Sequence, residues 1–147
     1  MSAIAFAIFV VLTTVAALHV AWGVGVRWPR KTDAELVSVV VGHASDKMPS
    51  PNQCYLAALA IYIPGTIALM LAGLIGTSLS PSIVLLAGLV ATLVFAGRGI
   101  AGYLPAWRAR FPREPFATYD RRYYSPLCLI LAAGFAILLF NGTRLLS

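Results

Sequence analysis

Four long apolar stretches, separated by polar segments, constrain this chain more than any other feature of its sequence. They cover about residues 3–25, 54–77, 82–104 and 125–141. A helix needs about 20 residues to cross the hydrocarbon core of a bilayer, which is about 30 Å thick. The sequence therefore predicts an all-α membrane protein, an up-down bundle of four transmembrane helices that forms one integral membrane domain over residues 1–147.

The composition argues against a soluble domain and against a nucleic-acid-binding protein. Hydrophobic residues make up 60% of the chain and charged residues only 11%, whereas a soluble domain carries about 25% charged residues. Lys and Arg outnumber Asp and Glu by 11 to 5, which gives a net charge of +6. Because apolar stretches separate the basic clusters, we expect the lipid bilayer, and not nucleic acid, to be the partner of this charge.

Serine-proline pairs mark the start of three of the four apolar stretches. A serine at the N-cap accepts a backbone N–H that has no partner within the helix, and a proline at the first helical position lacks that N–H. Thr32 and Glu35 form a further capping-box pattern, which predicts a short interfacial helix after the first span, with Gly42 at its end. The three pairs are Ser50-Pro51, Ser80-Pro81 and Ser125-Pro126.

The basic residues are distributed unevenly between the two ends of the predicted bundle. Four spans place residues 26–49 and 105–124 on one side, and the two termini with the short turn 77–80 on the other. Ten of the 11 Lys and Arg residues lie on or nearest the first side, and only Arg144 lies on the second. The positive-inside rule then predicts that the two large loops are cytoplasmic and that both termini are periplasmic.

Polar side chains near the basic end of the spans form the candidate site. His19 and Trp22 are three residues apart and therefore share one face of the first helix. Arg98 lies at a similar depth in the third stretch, and ionisable groups in spans usually face the bundle interior or a water-filled cavity. Paired arginines beside tyrosines, before the fourth stretch, suit a phosphate head group. The candidates are His19, Trp22, Arg98, Asp120, Arg121 and Arg122.

We expect these residues to line a pocket or surface site, in the cytoplasmic half, for a lipid head group or a small amphipathic ligand. The same residues also allow purely structural roles. Arg98 can extend its guanidinium to the interface, and Asp120 can pair with Arg98 or Arg121 and fix the loop. His19 can make a single hydrogen bond between helices.

Two other classes of function remain open at this stage. One is a membrane-embedded enzyme that uses His19 as acid or base and a cysteine as nucleophile or metal ligand. His43 and Met48 are further soft or borderline ligands, but their spacing fits no compact metal motif, so the sequence predicts no metal site and leaves any cofactor unknown. The other class is an accessory subunit of a larger membrane complex, whose polar residues hold helices together.

The two cysteines begin the second and fourth stretches, at the same end of the predicted bundle. A disulfide requires Cα atoms within about 7 Å, and in a simple square bundle the second and fourth helices are diagonal. We therefore expect Cys54 and Cys128 to be free thiols near the interface, and a reducing cytoplasm favours the same state.

Three segments of the chain together resemble a known protein family. They are His19–Gly23 (HVAWG), Met48–Cys54 (MPSPNQC) and Asp120–Cys128 (DRRYYSPLC). In these segments the chain resembles a family of small bacterial integral membrane proteins catalogued only as a domain of unknown function. The resemblance extends over most of the chain and implies a four-span protein of the bacterial inner membrane. It implies no activity.

Overall fold

The computed structural model describes residues 1–42 and 47–144, with side chains as far as Gly142. Every regular element in these two ranges is helical. Four helical stretches are long and apolar enough to cross a membrane, the last of them continuous from Phe116 to Gly142. This confirms the all-α membrane class. The elements are α1 (Ser2–Gly23), α2 (Asp33–Val40), α3 (Pro51–Leu71), α4 (Pro81–Ala101), α5 (Pro105–Arg110), α6 (Phe116–Tyr119), a π-helical turn (Asp120–Tyr124) and α7 (Ser125–Arg144).

Two of the predicted helix starts carry the expected reciprocal hydrogen bonds. At α2, the Glu35 N–H donates to Thr32 Oγ1 at 3.3 Å, and the Thr32 N–H donates to Glu35 Oε2 at 3.3 Å. At α3, the Ser50 N–H donates to Gln53 Oε1 at 2.8 Å, and the Gln53 N–H donates to Ser50 Oγ at 3.4 Å. Both capping boxes are confirmed.

The prediction that Ser125 caps the fourth span is wrong. Its φ of −66° and ψ of −46° are helical, because the helix already runs through α6 and the π-helical turn before it reaches this residue. Its hydroxyl donates to Asp120 Oδ1 at 3.4 Å instead of capping a backbone N–H. Ser80 does occupy the N-cap position of α4, although its side chain makes no capping hydrogen bond.

The second span ends earlier than hydropathy alone predicts. Helix α3 stops at Leu71, about six residues before the predicted boundary at residue 77. Gly73 adopts a φ of +67°, and the Leu74 N–H donates back to the Leu69 carbonyl at 2.9 Å. A left-handed glycine of this kind ends a helix whatever the hydropathy of the residues that follow.

The membrane helices pack as two close pairs, α1 with α3 and α4 with α7. Tyr55, near the start of α3, lies against Gly23 at the end of α1, while Phe9 lies against Gly65, so α1 and α3 run in opposite directions. The up-down order of the complete bundle stays a prediction. The buried residues of the shared core are Ala5, Ile8, Leu12, Ala68, Leu69, Leu71, Val84, Ala91, Leu131, Phe135 and Leu138.

The cap of α2 provides a prediction about pH. The backbone N–H groups of Lys31 and Thr32 donate to Glu35 Oε2 and lower the pKa of this carboxyl from its ordinary value of 4.5. A carboxyl with a lowered pKa stabilises the folded state above its unfolded pKa, and this stabilisation is lost as the pH falls through the folded pKa. We expect the amide resonances of Lys31 and Thr32 to titrate below pH 4.5. In Glu35→Gln this titration should disappear, and its persistence would contradict the assignment.

Candidate ligand sites at the loop end of the bundle

The segments 24–42, 47–50 and 102–124 meet at one end of the bundle, which we call the loop end. Helix α2 is held there by its apolar face, since Leu36 and Val37 are completely buried. The Tyr124 hydroxyl donates to the Val39 carbonyl at 3.1 Å, and the Phe116 ring packs against Gly42, whose φ is +72°. The short helix predicted after the first span is therefore present and packs on the protein.

A buried carboxylate organises the side of the loop end formed by α4 and α7. Asp120 is 1% exposed, and its Oδ1 lies 2.5 Å from Arg98 Nη2. Trp107 Nε1 donates to Asp120 Oδ2 at 3.0 Å, and Arg98 Nη1 donates to Ser125 Oγ at 3.4 Å. The Arg98 guanidinium also lies 4.6 Å from the centre of the Trp107 ring. We call these four residues the Arg98–Asp120 cluster.

Local backbone features bring the four residues of this cluster together. Gly102 directly follows α4 and lies against Ser125. A Cβ atom on Gly102 would lie 2.9 Å from Ser125 Cβ and 3.1 Å from Asp120 Oδ2. In the π-helical turn, the Ser125 N–H donates to the Asp120 carbonyl five residues earlier. The Tyr103 hydroxyl donates to the Arg121 carbonyl at 3.2 Å. Turns of this type are frequent at functional sites.

The two arginines that follow Asp120 have a different environment. Arg121 and Arg122 are exposed, and the Arg122 guanidinium lies 5.7 Å from the centre of the Tyr123 ring. The ion pairs found within residues 1–42 and 47–142 involve neither arginine. Because Asp120 is buried against Arg98, the charge of this arginine pair is not neutralised by the acid next to it in sequence.

His19 and Trp22 belong to a separate cavity of about 300 Å³ at the same end of the bundle. His19 Nδ1 and the Val15 carbonyl are 2.8 Å apart, and Trp22 Nε1 donates to the Trp28 carbonyl at 2.9 Å. The His19 and Trp22 ring centres are 4.8 Å apart. The cavity is lined by His19, Trp22, Val40, Val41, Met48, Pro49, Gln53, Cys54 and Ala57.

The six candidates from the sequence thus lie in three places: the cavity, the Arg98–Asp120 cluster and the exposed arginine pair. Among the alternatives, the pairing of Asp120 with Arg98 is the one present. Sequence reasoning missed the bond from Trp107 to Asp120 and the polar contribution of Gln53 to the cavity. No pattern in the sequence predicts the contact between Trp107 and Asp120, because these residues are 13 positions apart and lie on different elements.

The two cysteines lie in different surroundings. Cys54 is 4% exposed and lines the cavity, whereas Cys128 is half-buried in α7, and both are free thiols. In the part of the chain that the structure describes, no three His, Cys, Asp or Glu residues are placed to hold a metal ion. His43, the further ligand considered from the sequence, lies outside the described residues.

Fold and site together define a small helical membrane protein with four spans, a buried ion pair and a basic loop end. The chain belongs to the DUF3995 family, described as proteins of unknown function, whose model matches residues 12–135. That range contains all six candidate residues, and it confirms the family resemblance read from the sequence. Searches of curated proteins and of solved structures gave no match.

Proposed function

We propose that this protein is a bacterial inner-membrane protein that binds the phosphate head group of an anionic lipid at its loop end. Arg121 and Arg122 are the binding residues. The observation that carries the proposal is that both arginines are exposed while the carboxylate beside them is buried in an ion pair with Arg98. Arginine is the side chain best matched to phosphate, because its planar guanidinium donates two parallel hydrogen bonds.

The Arg98–Asp120 cluster acts here by positioning and not by binding. With its partner on α4, Asp120 fixes the first residue of the π-helical turn, and Tyr103 holds the Arg121 carbonyl. The arginine side chains therefore start from a fixed backbone at the membrane surface. A preorganised backbone reduces the ordering that binding would otherwise require.

The surroundings of the arginine pair support an interfacial lipid as the source of the phosphate. Tyr103 and Tyr123 are both about half exposed, and tyrosines at this level anchor a protein among lipid head groups. The excess of Lys and Arg at the loop end supports a cytoplasmic location for it by the positive-inside rule. The cytoplasmic leaflet is the one whose anionic lipids attract basic segments of this kind.

Retention of phosphatidylglycerol by the full-length protein tests the proposal. We expect native mass spectrometry of protein from mixed phosphatidylglycerol and phosphatidylethanolamine nanodiscs to show bound phosphatidylglycerol. A hydrogen bond to a charged group contributes about 1.5 kcal/mol or more. Arg121→Gln with Arg122→Gln removes one charge-assisted bond to the phosphate per arginine and should therefore weaken binding about a hundred-fold.

Arg30→Gln with Lys31→Gln is the matched control, since it also removes two positive charges, but from another part of the loop end. It should leave most of the binding intact. An equal loss of phosphatidylglycerol binding in both double variants would show that the total positive charge of the loop end attracts the lipid, without a specific site. Recovery of a stoichiometric protein partner, with no lipid retained, would favour an accessory subunit instead.

A further inference from the structure

The cavity beside His19 shares no residue with the arginine pair and needs an explanation of its own. We propose that it binds the ring of a neutral, oxygen-bearing membrane lipid of the isoprenoid quinone and quinol class. Its walls come from the last turns of α1, the end of α2 and the first turns of α3. The cavity lies at the loop end of the bundle, where the ring of such a lipid would lie while its apolar tail remains in the bilayer.

The described walls of the cavity are uncharged and do not suit the charged ligands that the arginine pair would bind. Among the residues that the structure describes, the nine that line the cavity include no Lys, Arg, Asp or Glu. A phosphate or an ammonium group would lose its hydration there without gaining a charged partner, which is strongly unfavourable. The occupant is therefore neutral.

The hydrogen-bonding groups of the cavity provide one acceptor and one donor. Because a carbonyl oxygen can only accept, His19 Nδ1 carries the proton in its bond to Val15, and the neutral imidazole keeps a lone pair on Nε2. Gln53 Oε1 accepts from the Ser50 N–H, which orients the amide and leaves its NH₂ group as donor. A quinol hydroxyl can donate to His19, and a quinone or quinol oxygen can accept from Gln53.

The remaining walls suit an aromatic or quinonoid ring. The indole N–H of Trp22 is already bound to the Trp28 carbonyl, so Trp22 offers its ring to a ligand. The neighbouring His19 ring and the polarizable side chain of Met48 extend the same apolar surface, and rings gain further stabilisation from offset stacking. A volume of about 300 Å³ accommodates one or two fused rings and is at the small end of ligand pockets.

Fluorescence titration of the full-length protein in mild detergent with decylubiquinone tests this proposal. This probe has a fully substituted ring, which disfavours addition of the Cys54 thiol to it. We expect saturable quenching of tryptophan fluorescence, and we expect Trp22→Phe to remove the saturable component. His19→Leu and Gln53→Leu should each weaken binding about tenfold, because each removes one hydrogen bond to the ligand.

Trp28→Phe is the control for quenching by ligand dissolved in the micelle, since Trp28 is exposed and outside the cavity. It should leave the saturable component unchanged. A ring analogue without a tail should bind more weakly than decylubiquinone if the source is a membrane lipid. Equal binding of both would indicate a soluble aromatic ligand and overturn the lipid assignment. Thermal melting checks that His19→Leu and Gln53→Leu are folded. If both folded variants bind decylubiquinone with unchanged affinity, the proposed site is wrong.

Discussion

Asp120→Asn should destabilise the protein by about 3 kcal/mol, because it leaves the Arg98 guanidinium without its counter-charge. Breaking a buried ion pair by removing one partner costs about 3–5 kcal/mol. We expect the low end of this range, because Arg98 retains 29% of its side-chain exposure while Asp120 has 1%. Asparagine has almost the same size, so no cavity forms. Its single amide oxygen can accept from Arg98 or from Trp107 but not from both, because these donors contact different oxygens of Asp120. The effect therefore reports the loss of the carboxylate and not a cavity. Reversible unfolding in mixed detergent micelles measures it.

Two further variants separate the ion pair from a general charge effect. Arg121→Gln removes an exposed positive charge one residue away and should change the free energy of unfolding by less than about 0.5 kcal/mol. Arg98→Met combined with Asp120→Asn should be less destabilising than the sum of the two single changes, because the residues are in direct contact. Additive single effects would contradict the coupling between Arg98 and Asp120.

Gly102→Ala is the second change with a large expected effect. The added methyl group would contact the Ser125 hydroxyl and lie 2.9 Å from Ser125 Cβ, closer than packed carbon atoms approach. Since Ser125 is completely buried, the contact can be relieved only by separating α4 from α7. Overpacking of this kind costs about 1–3 kcal/mol, and here it also displaces Asp120 from Arg98. We therefore expect about 3 kcal/mol, measured by the same unfolding experiment.

Gly97→Ala is the matched control, since Gly97 lies within α4, five residues before Gly102. A Cβ atom at Gly97 would meet nothing within 4 Å, and alanine is the better helix former by about 0.5–1 kcal/mol in an exposed helix. We expect this variant to be neutral or slightly more stable. If both glycine variants behave alike, close approach of Gly102 to Ser125 does not limit the size of the side chain at position 102.

The destabilised variants also connect the fold with the proposed lipid site. Asp120 precedes Arg121 directly, so release of the π-helical turn would let the arginine pair move away from its fixed position. Asp120→Asn should therefore weaken phosphatidylglycerol retention even though it adds a net positive charge to the loop end. A purely electrostatic surface would instead bind anionic lipid more strongly in this variant.

Hydropathy and local capping patterns are enough to predict the class of protein and most helix boundaries. Apolar stretches of about 20 residues can satisfy their backbone hydrogen bonds in a bilayer only as helices, and local patterns such as Thr32 with Glu35 set helix starts through contacts within one turn. Where a local rule failed, a distant partner was responsible. Ser125 looked like a helix cap, but its hydroxyl contacts Asp120 and Arg98, and the latter is 27 residues away in sequence.

The grouping of the candidate residues depends on how the helices pack against one another. The sequence predicted six candidate residues at one end of the bundle, but position along the chain does not specify which helix face meets which neighbour. Pairing of α1 with α3 placed His19 and Gln53 in the walls of one cavity, while pairing of α4 with α7 buried Asp120 against Arg98. The charge left exposed on Arg121 and Arg122 depends on that burial, because a carboxylate neutralises the cation it contacts in space and not the one beside it in sequence.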